Sequence, residues 1–574
     1  MRKELASVAL VMDPDGRLED GLDHEALLPR SWGREAENQP GAVILGDMNA
    51  REEVFAWLKE RGVSYVFGNP GSTEIPFLGG LEAMSHYVLA LQESSALAMA
   101  DGYAQASGQV GLVNLHTSPG FGHAYGSLFT AKKNKTPLIV TVGQQDNRQR
   151  FSEPLLSGNH QEMARPLAKW VYEPLRPEDV PAAFERAWTI AMSPPRGPVV
   201  LTLPMDLWEA ESRPARVRQF YPPSVPQGLE KLLEALQNSK APALVLGSGT
   251  GDLGFTVAPR LAEALNAPVF TESFTVVAAF PNRHPLYRGA LPPAAPAIAG
   301  ILDPFDLVLV LGAAAFTVYP YLPGDLVGEQ TQVYQVSDDP DELGRSPASA
   351  VFMGDPGLAL QWLAERVTPR GTAVESSPWP ELPAPSGAGL AVQTALPWLL
   401  NQLPPDAVLV DEGVTASPIL QKHFPVTVPR SYFRGSSGGL GWGLPAAVGV
   451  ALGSPGRPVF CFLGDGATYY SVQGLASAAR ENLPVKFVVM NNSQYAILKD
   501  FTEGLHPNLA GQIPGLDLPG LEITSVSRGL GVPAETVRTP TELAEAWRRL
   551  LAAPGPYLLE LVVERLSGGL LGGV

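Results

Sequence analysis

From Met48 onwards the chain alternates two kinds of segment, and this alternation restricts its fold more than any other feature. Short apolar runs, VSYVF, VGLVNL, PLIVTV and GPVVLTL, are separated by helical stretches such as REEVFAWLKERG and ESSALAMADGYAQA. Strands joined through helices run parallel, and the helices then cover both faces of the sheet. The expected class is therefore α/β, with doubly wound parallel sheets. A chain of 574 residues has room for roughly three or four such units at about 150 residues each.

Two stretches divide the alternation. PARVRQFYPPSVPQ at 214–227 and SSPWPELPAPSGAG at 376–389 are Pro-rich and read as linkers. The expected division is an N-terminal extension at 1–47, outside the core fold, followed by domains at 48–215, 228–375 and 390–574. The extension carries no convincing period and is rich in Asp, Glu, Arg and Gly. The middle domain shows its strands in APALVLGSGTG, FDLVLVLGAAA and QVYQVSDD. The outer two domains echo one another. PLIVTV is followed by Gln144 and Gln145, PVKFVVM by Asn491 and Asn492, and the blocks close on RGPVVLTLP and PGPYLLELV.

Composition narrows the function. A net charge of −17 and a pI near 5.0 argue against sequence-independent binding to nucleic acid or an anionic membrane, which needs clustered Lys and Arg. A small anionic substrate stays open, because a few groups set the field inside a pocket. The single cysteine, Cys461, excludes an intramolecular disulfide framework and a multi-Cys metal site. MRKELASVALVM is a poor secretory signal. No segment approaches the roughly 20 apolar residues that span a bilayer. A cytoplasmic protein is expected.

The chemistry concentrates where two strands end. VFCFLG runs into Asp465 and Gly466, PVKFVVM runs into Asn491 and Asn492, and 24 residues separate Gly466 from Asn491. In a parallel sheet both ends lie on the carboxyl edge, where ligands bind. Asp465 and Asn492 offer hard oxygen atoms suited to Mg²⁺ or Ca²⁺ held together with phosphate oxygens. Gly464 and Gly466 allow backbone N–H groups to approach those oxygens. Paired asparagines alone signal a turn; with the Gly-Asp-Gly upstream they point to a metal–diphosphate site. A nicotinamide or flavin enzyme would use LVLGSGTGDLG at 244–254, where Gly247 and Gly249 begin a dinucleotide fingerprint. Asp252 takes the place of the third glycine and opposes that reading.

This spacing resembles the signature of thiamine diphosphate enzymes, whose pyrimidine-binding, middle Rossmann-like and diphosphate-binding domains match the three blocks in order. Within that family the chain is most similar to benzoylformate decarboxylases. The resemblance rests on FGNPGSTEIPFL, LALQESSALAMADGYAQASG, NLHTSPGFGHA, PNRHPLYRG and GGLGWGLPAAVG. It implies a thiamine diphosphate- and Mg²⁺-dependent decarboxylation of a 2-oxo acid to an aldehyde and carbon dioxide, in a homodimer or homotetramer with sites between subunits.

The same resemblance assigns residues. Glu93 would bond the aminopyrimidine and favour the tautomer that activates the cofactor. His116, expected just before a turn through Pro119, Gly120 and Gly122, and His284 would move protons. Ser72 would hold the substrate carboxylate. Gly438 would offer its carbonyl to the exocyclic amine, and Leu440 would be the apolar wedge that keeps the cofactor bent. Val414, Thr415, Gly464, Asp465, Gly466 and Ala467 would line the diphosphate, with Val414 and Ala467 limited to backbone contact. Asp465, Asn492 and the Gln494 carbonyl would be the metal ligands. Ile497 would border cofactor and substrate, with Phe501 one helical turn further on the same face. Ile497 is larger than the small residue of benzoylformate-type members, which implies a preference for smaller or aliphatic 2-oxo acids. An acetolactate synthase-type carboligase is the nearest rival, and the two histidines favour protonation over ligation. A non-catalytic relative is opposed by Glu93, Asp465 and Asn492.

Overall fold

The computed structural model describes residues 48–221, 224–371 and 382–565. The expected extension at 1–47 and part of the second Pro-rich stretch lie outside the described residues. Residues 214–221 of the first Pro-rich stretch carry neither helix nor strand. The Arg218 N–H donates to Glu185 and its carbonyl accepts from Arg61, which fastens this stretch to the N-terminal part of the fold.

Three six-stranded sheets follow one another along the chain, and every strand pair is parallel. The first holds β1 (Tyr65–Gly68), β2 (His86–Leu89), β3 (Gly111–Leu115), β4 (Leu138–Gln144), β5 (Val171–Tyr172) and β6 (Val199–Pro204), ordered β2-β1-β3-β4-β6-β5. The second holds β7 (Pro242–Leu246), β8 (Val269–Thr271), β9 (Tyr287–Ala290), β10 (Leu307–Leu311), β11 (Gln332–Ser337) and β12 (Ala350–Met353), ordered β12-β11-β10-β7-β8-β9. The third holds β13 (Val408–Glu412), β14 (Tyr432–Arg434), β15 (Val459–Gly464), β16 (Val485–Asn491), β17 (Ala534–Val537) and β18 (Tyr557–Val562), ordered β14-β13-β15-β16-β18-β17. β3, β4 and β16 are buried along their whole length, as parallel strands covered on both faces must be.

Helix α1 (Glu93–Ser107) follows β2, α2 (Thr117–Lys133) follows β3, α3 (Gly443–Gly453) follows β14, and α4 (Ala496–Leu505) follows β16. α1 is buried on almost every position, a pattern that places a helix inside the core rather than on its surface. It packs against α3 at backbone distance. A Cβ on Gly102 would lie 2.2 Å from the Ala446 carbonyl oxygen, and one on Gly449 would lie 1.8 Å from that of Met99. The contact is reciprocal, with glycine three residues after the opposing carbonyl on each helix.

The segment after His116 differs from expectation. It is the first turn of α2, and the helix runs straight through Pro119, Gly120 and Gly122. Pro119 is the third helical residue, where its missing N–H removes no intrahelical bond. Among the described residues no helix is long and apolar enough to cross a membrane.

Candidate active site

The expected residues gather in two places. The first is the carboxyl edge of the first sheet. Glu93 opens α1, where the positive end of the helix favours a carboxylate. It is 8 % exposed, accepts from Asn69 Nδ2 at 3.3 Å and from His123 Nδ1 at 3.0 Å, and lies against Gly120 of α2. His116 ends the loop after β3, and its ring is locked by the GNPGSTE segment. Nδ1 donates to Glu74 Oε2 at 2.8 Å and lies 3.2 Å from Thr73 Oγ1. A Cβ on Gly71 would fall 2.1 Å from the ring, so only glycine leaves room for the imidazole.

Glu74 is buried, and also accepts from the Gly71 N–H at 3.0 Å and from Thr73 Oγ1 at 2.5 Å. Burial pushes its carboxyl above the usual range, while Thr73, His116 and Gly71 pull it back. Ser72 is exposed on the same turn, one residue from both Gly71 and Thr73. Glu74, Asn69 and His123 escaped the sequence reading. Glu74 stands before the apolar run IPF and looks like an ordinary helix start, although its spacing from Ser72 was there to be read.

The second place is a recess on the carboxyl edge of the third sheet. It is lined by Val414, Thr415, Leu440, Gly464, Asp465, Gly466, Ala467, Asn492, Gln494 and Ile497, among others. Register explains the meeting: Gly464 of β15 pairs with Met490 of β16, so the two strands end side by side. Asp465 Oδ2 accepts from the Ser493 N–H and Oδ1 from the Gly466 N–H, each at 2.7 Å. Asn492 Oδ1 accepts from the Gln494 N–H at 3.1 Å. The Gln494 side-chain oxygen is taken by Lys499 at 2.7 Å, which leaves its carbonyl as the atom available for a ligand. Val414 adopts φ 50°, a left-handed conformation that is strained for a β-branched residue.

Asp465 is 4 % exposed and has no ion-pair partner among the described residues. Burial raises its carboxyl, so the anion is costly there without a cation. No group of three or more His, Cys, Asp or Glu side chains forms a metal cage among the described residues. One carboxylate, one amide and one main-chain carbonyl require none.

Three expected residues lie apart from the recess lining. His284 is turned toward Glu263, 3.2 Å from Nε2, and its ring edge meets Phe280. Within this chain it joins neither group. Phe501 packs on Tyr319, ring centroids 5.7 Å apart. Gly438, at φ 74°, borders a larger crevice shared with Gly247, Gly249 and Gly312, which follow β7 and β10 of the second sheet. Gly249 has backbone of Gly312 within 3 Å of its Cβ position, and Asp252 pairs with Arg430 at 3.0 Å.

None of Glu93, Glu74, His116 and Ser72 is among the residues lining the recess. α2 touches Glu93 through Gly120 and Ser437 through Thr130, whose Oγ lies 2.8 Å from the Ser437 hydroxyl. Ten residues of helix, about 15 Å of rise, separate these contacts.

The chain matches three sequence families: thiamine pyrophosphate enzyme, N-terminal TPP binding domain, at 48–164; central domain, at 229–363; and C-terminal TPP binding domain, at 413–561. It is 37 % identical to benzoylformate decarboxylase of Pseudomonas aeruginosa over 89 % of this chain and 98 % of that protein. A thiamine diphosphate-dependent 4-hydroxybenzoylformate decarboxylase of Rhodococcus jostii RHA1 has a similar structure. The TM-score is 0.86 at 35 % identity, covering 90 % of this chain and 99 % of the other. The acetolactate synthase large subunit of Haemophilus influenzae is 25 % identical over 86 % of this chain and 91 % of its own length. The chain is an enzyme of the thiamine diphosphate-dependent 2-oxo acid decarboxylase family.

Proposed function

We propose that the protein converts a 2-oxo acid non-oxidatively to an aldehyde and carbon dioxide, at a site completed by two copies of the chain. The observation that carries this reading is the carboxylate-held imidazole. With Nδ1–H committed to Glu74, His116 presents Nε2 as the atom that gives or takes a proton. That is the equipment for protonating a carbon after carbon dioxide departs. Ser72, on the adjoining turn, would receive the substrate carboxylate.

Asp465, Asn492 and the Gln494 carbonyl would hold Mg²⁺ against the diphosphate, and the unpaired buried Asp465 suits such a cation. When bound, thiamine diphosphate supplies the nucleophilic carbon and the electron sink for carbon–carbon cleavage. Glu93, oriented by Asn69 and His123, would hold the pyrimidine ring by a charge-assisted hydrogen bond. Leu440 would exclude water and press on the cofactor's fold. Because Glu93 meets α2 at Gly120 while the loop that carries Leu440 meets it ten residues on, at Thr130 through Ser437, Glu93 of one copy would work with the recess of another, in a dimer or tetramer. An active monomer in sedimentation at assay concentration would overturn this arrangement.

Ile497 lines the recess, and its three extra carbons relative to alanine favour small or aliphatic 2-oxo acids. At about 0.8 kcal/mol per CH₂ the difference approaches 2.4 kcal/mol, roughly 50-fold. The test is a panel of 2-oxo acids assayed with metal-stripped protein plus thiamine diphosphate and Mg²⁺. Ile497→Ala should move kcat/KM toward benzoylformate by at least about ten-fold; equal profiles would remove the specificity argument. Absence of cofactor-dependent carbon dioxide release would remove the decarboxylase. Release accompanied mainly by carbon–carbon coupling products would favour a carboligase of the acetolactate synthase kind.

A further inference from the structure

The loop from Ser436 to Trp442 carries Gly438 and Leu440, and its shape is imposed from outside the recess. Three backbone N–H groups at its C-terminal end converge on one side chain, Glu412, the last residue of β13. Oε1 accepts from Gly441 at 2.8 Å and from Trp442 at 3.0 Å, and Oε2 accepts from Gly443 at 3.1 Å. These are orphan donors at the start of α3, a place where a negative charge is favoured. Gly443 lies so close that a Cβ there would sit 2.7 Å from the Glu412 Cβ.

Glu412 is 8 % exposed and has no ion-pair partner among the described residues. Burial raises its carboxyl to about 7 even though all three N–H groups pull the other way. A buried, uncompensated carboxylate is a costly way to cap a helix, since Ser, Thr or Asn performs the same task. What it adds is reach. One side chain gathers three successive amides and so dictates the path of the residue just before them, Leu440.

The opposite side of the loop is held by the first sheet's helices. Trp442 Nε1 donates to the buried Asp101 at 2.9 Å, and the Ser436 N–H and hydroxyl both donate to Asn134 Oδ1 at 3.0 Å. Gly441, at φ 92°, fits against Tyr470, where a Cβ would meet the Tyr470 Cβ at 2.9 Å. Both ends are fixed, while Gly438 and Gly439 at the apex are exposed.

We propose that Glu412 is a positioning residue for the cofactor, setting through Gly441, Trp442 and Gly443 how far Leu440 enters the recess and where the Gly438 carbonyl points. Glu412 is not among the residues that line the recess, so it would act through them. The inference rests on the thiamine diphosphate reading given above.

The experiment titrates thiamine diphosphate with Mg²⁺ into full-length wild type, Glu412→Gln, Glu412→Asp, Leu440→Ala and the Glu412→Asp/Leu440→Ala double variant. Binding is read by quenching of intrinsic tryptophan fluorescence, and kcat and substrate KM are measured in parallel. Glu412→Gln should weaken cofactor binding by roughly 10- to 100-fold, the range for losing a group that orients a ligand-binding residue. It should lower kcat while substrate KM stays within about two-fold, as expected when the cofactor rather than the substrate is misplaced. Glu412→Asp, one methylene short, should show at least about a three-fold loss of cofactor affinity and carries the test if the glutamine variant does not fold. In the Leu440→Ala background most of the Glu412→Asp effect should vanish, because the residue it acts through is gone.

Unchanged cofactor affinity in a folded Glu412 variant would overturn the proposal and leave the function intact. So would strict additivity with Leu440→Ala. A wild type that binds no thiamine diphosphate would overturn both.

Discussion

The first and third sheets share one strand order, with the fourth strand of each central and the sixth beside the fifth at the edge. Their helices α1 and α3 meet through the matched glycines Gly102 and Gly449. Yet their carboxyl edges carry opposite equipment. The first presents two carboxylate–imidazole pairs, Glu93 with His123 and Glu74 with His116. The third presents a recess lined by Asp465, Asn492, glycines and Leu440. The same backbone plan thus serves as a scaffold twice, and the loops after equivalent strands decide which side chains an edge presents; in the function proposed above, one edge would move protons and the other hold an anion.

This division of labour can be broken from either side. Glu93→Gln should lower kcat by about 10³-fold, within the range for general acid–base groups, while thiamine diphosphate affinity changes less than about ten-fold. Normal turnover in that variant would end the assignment of the first edge. Asp465→Asn should do the reverse, weakening Mg²⁺-dependent cofactor binding by at least about 100-fold with secondary structure intact. Chelation should silence wild-type activity, and Mg²⁺ with thiamine diphosphate should restore it. If both variants changed affinity and turnover in the same proportion, the edges would not be specialised.

The shared scaffold should respond differently. Gly449→Ala forces a methyl to 1.8 Å from the Met99 carbonyl, which should cost about 2–3 kcal/mol in urea unfolding. Gly102→Ala should cost a similar amount if the helix contact is truly reciprocal. A large difference between the two would show that the resemblance stops at strand order.

The smallest effect concerns pH and belongs to the first sheet alone. His160 is fully buried, bonds Ser118 Oγ through Nε2 at 2.9 Å, and is depressed by burial to about 4. Its ordinary value is 6.5, so the unfolded chain takes up the proton first as pH falls. The stabilisation is complete above about pH 6.5 and is lost toward pH 4. Between pH 7.5 and 5 the wild type should lose about 2 kcal/mol that His160→Gln does not lose, measured by urea denaturation at each pH. Equal pH slopes for the two proteins would show that His160 carries none of the dependence.

Much of this architecture was legible beforehand because parallel sheets covered on both faces demand continuous apolar strands, and those are visible as runs. The meeting of Asp465 with Asn492 was legible for the same reason, since adjacent parallel strands end on one edge. The segment after His116 was misread as a turn because Pro and two Gly usually break helices, whereas Pro119 falls in a first turn that tolerates it. Phe501 was expected to share the Ile497 face by helical spacing. Both lie on α4 at that spacing, but only folding could supply the partner of the Phe501 ring, Tyr319 of the segment between β10 and β11, more than 180 residues away in sequence.

By itself the sequence determined the class of fold, the three-part order and the meeting of the two strand ends, because all of these are local or periodic. Only the tertiary structure decided which groups support the site. Glu74 behind His116, Glu412 behind Leu440 and Asp101 behind Trp442 are each ordinary acids in the linear chain. Each becomes a fixed acceptor only when folding buries it against donors from distant segments, where a charge without those donors would be too costly to keep.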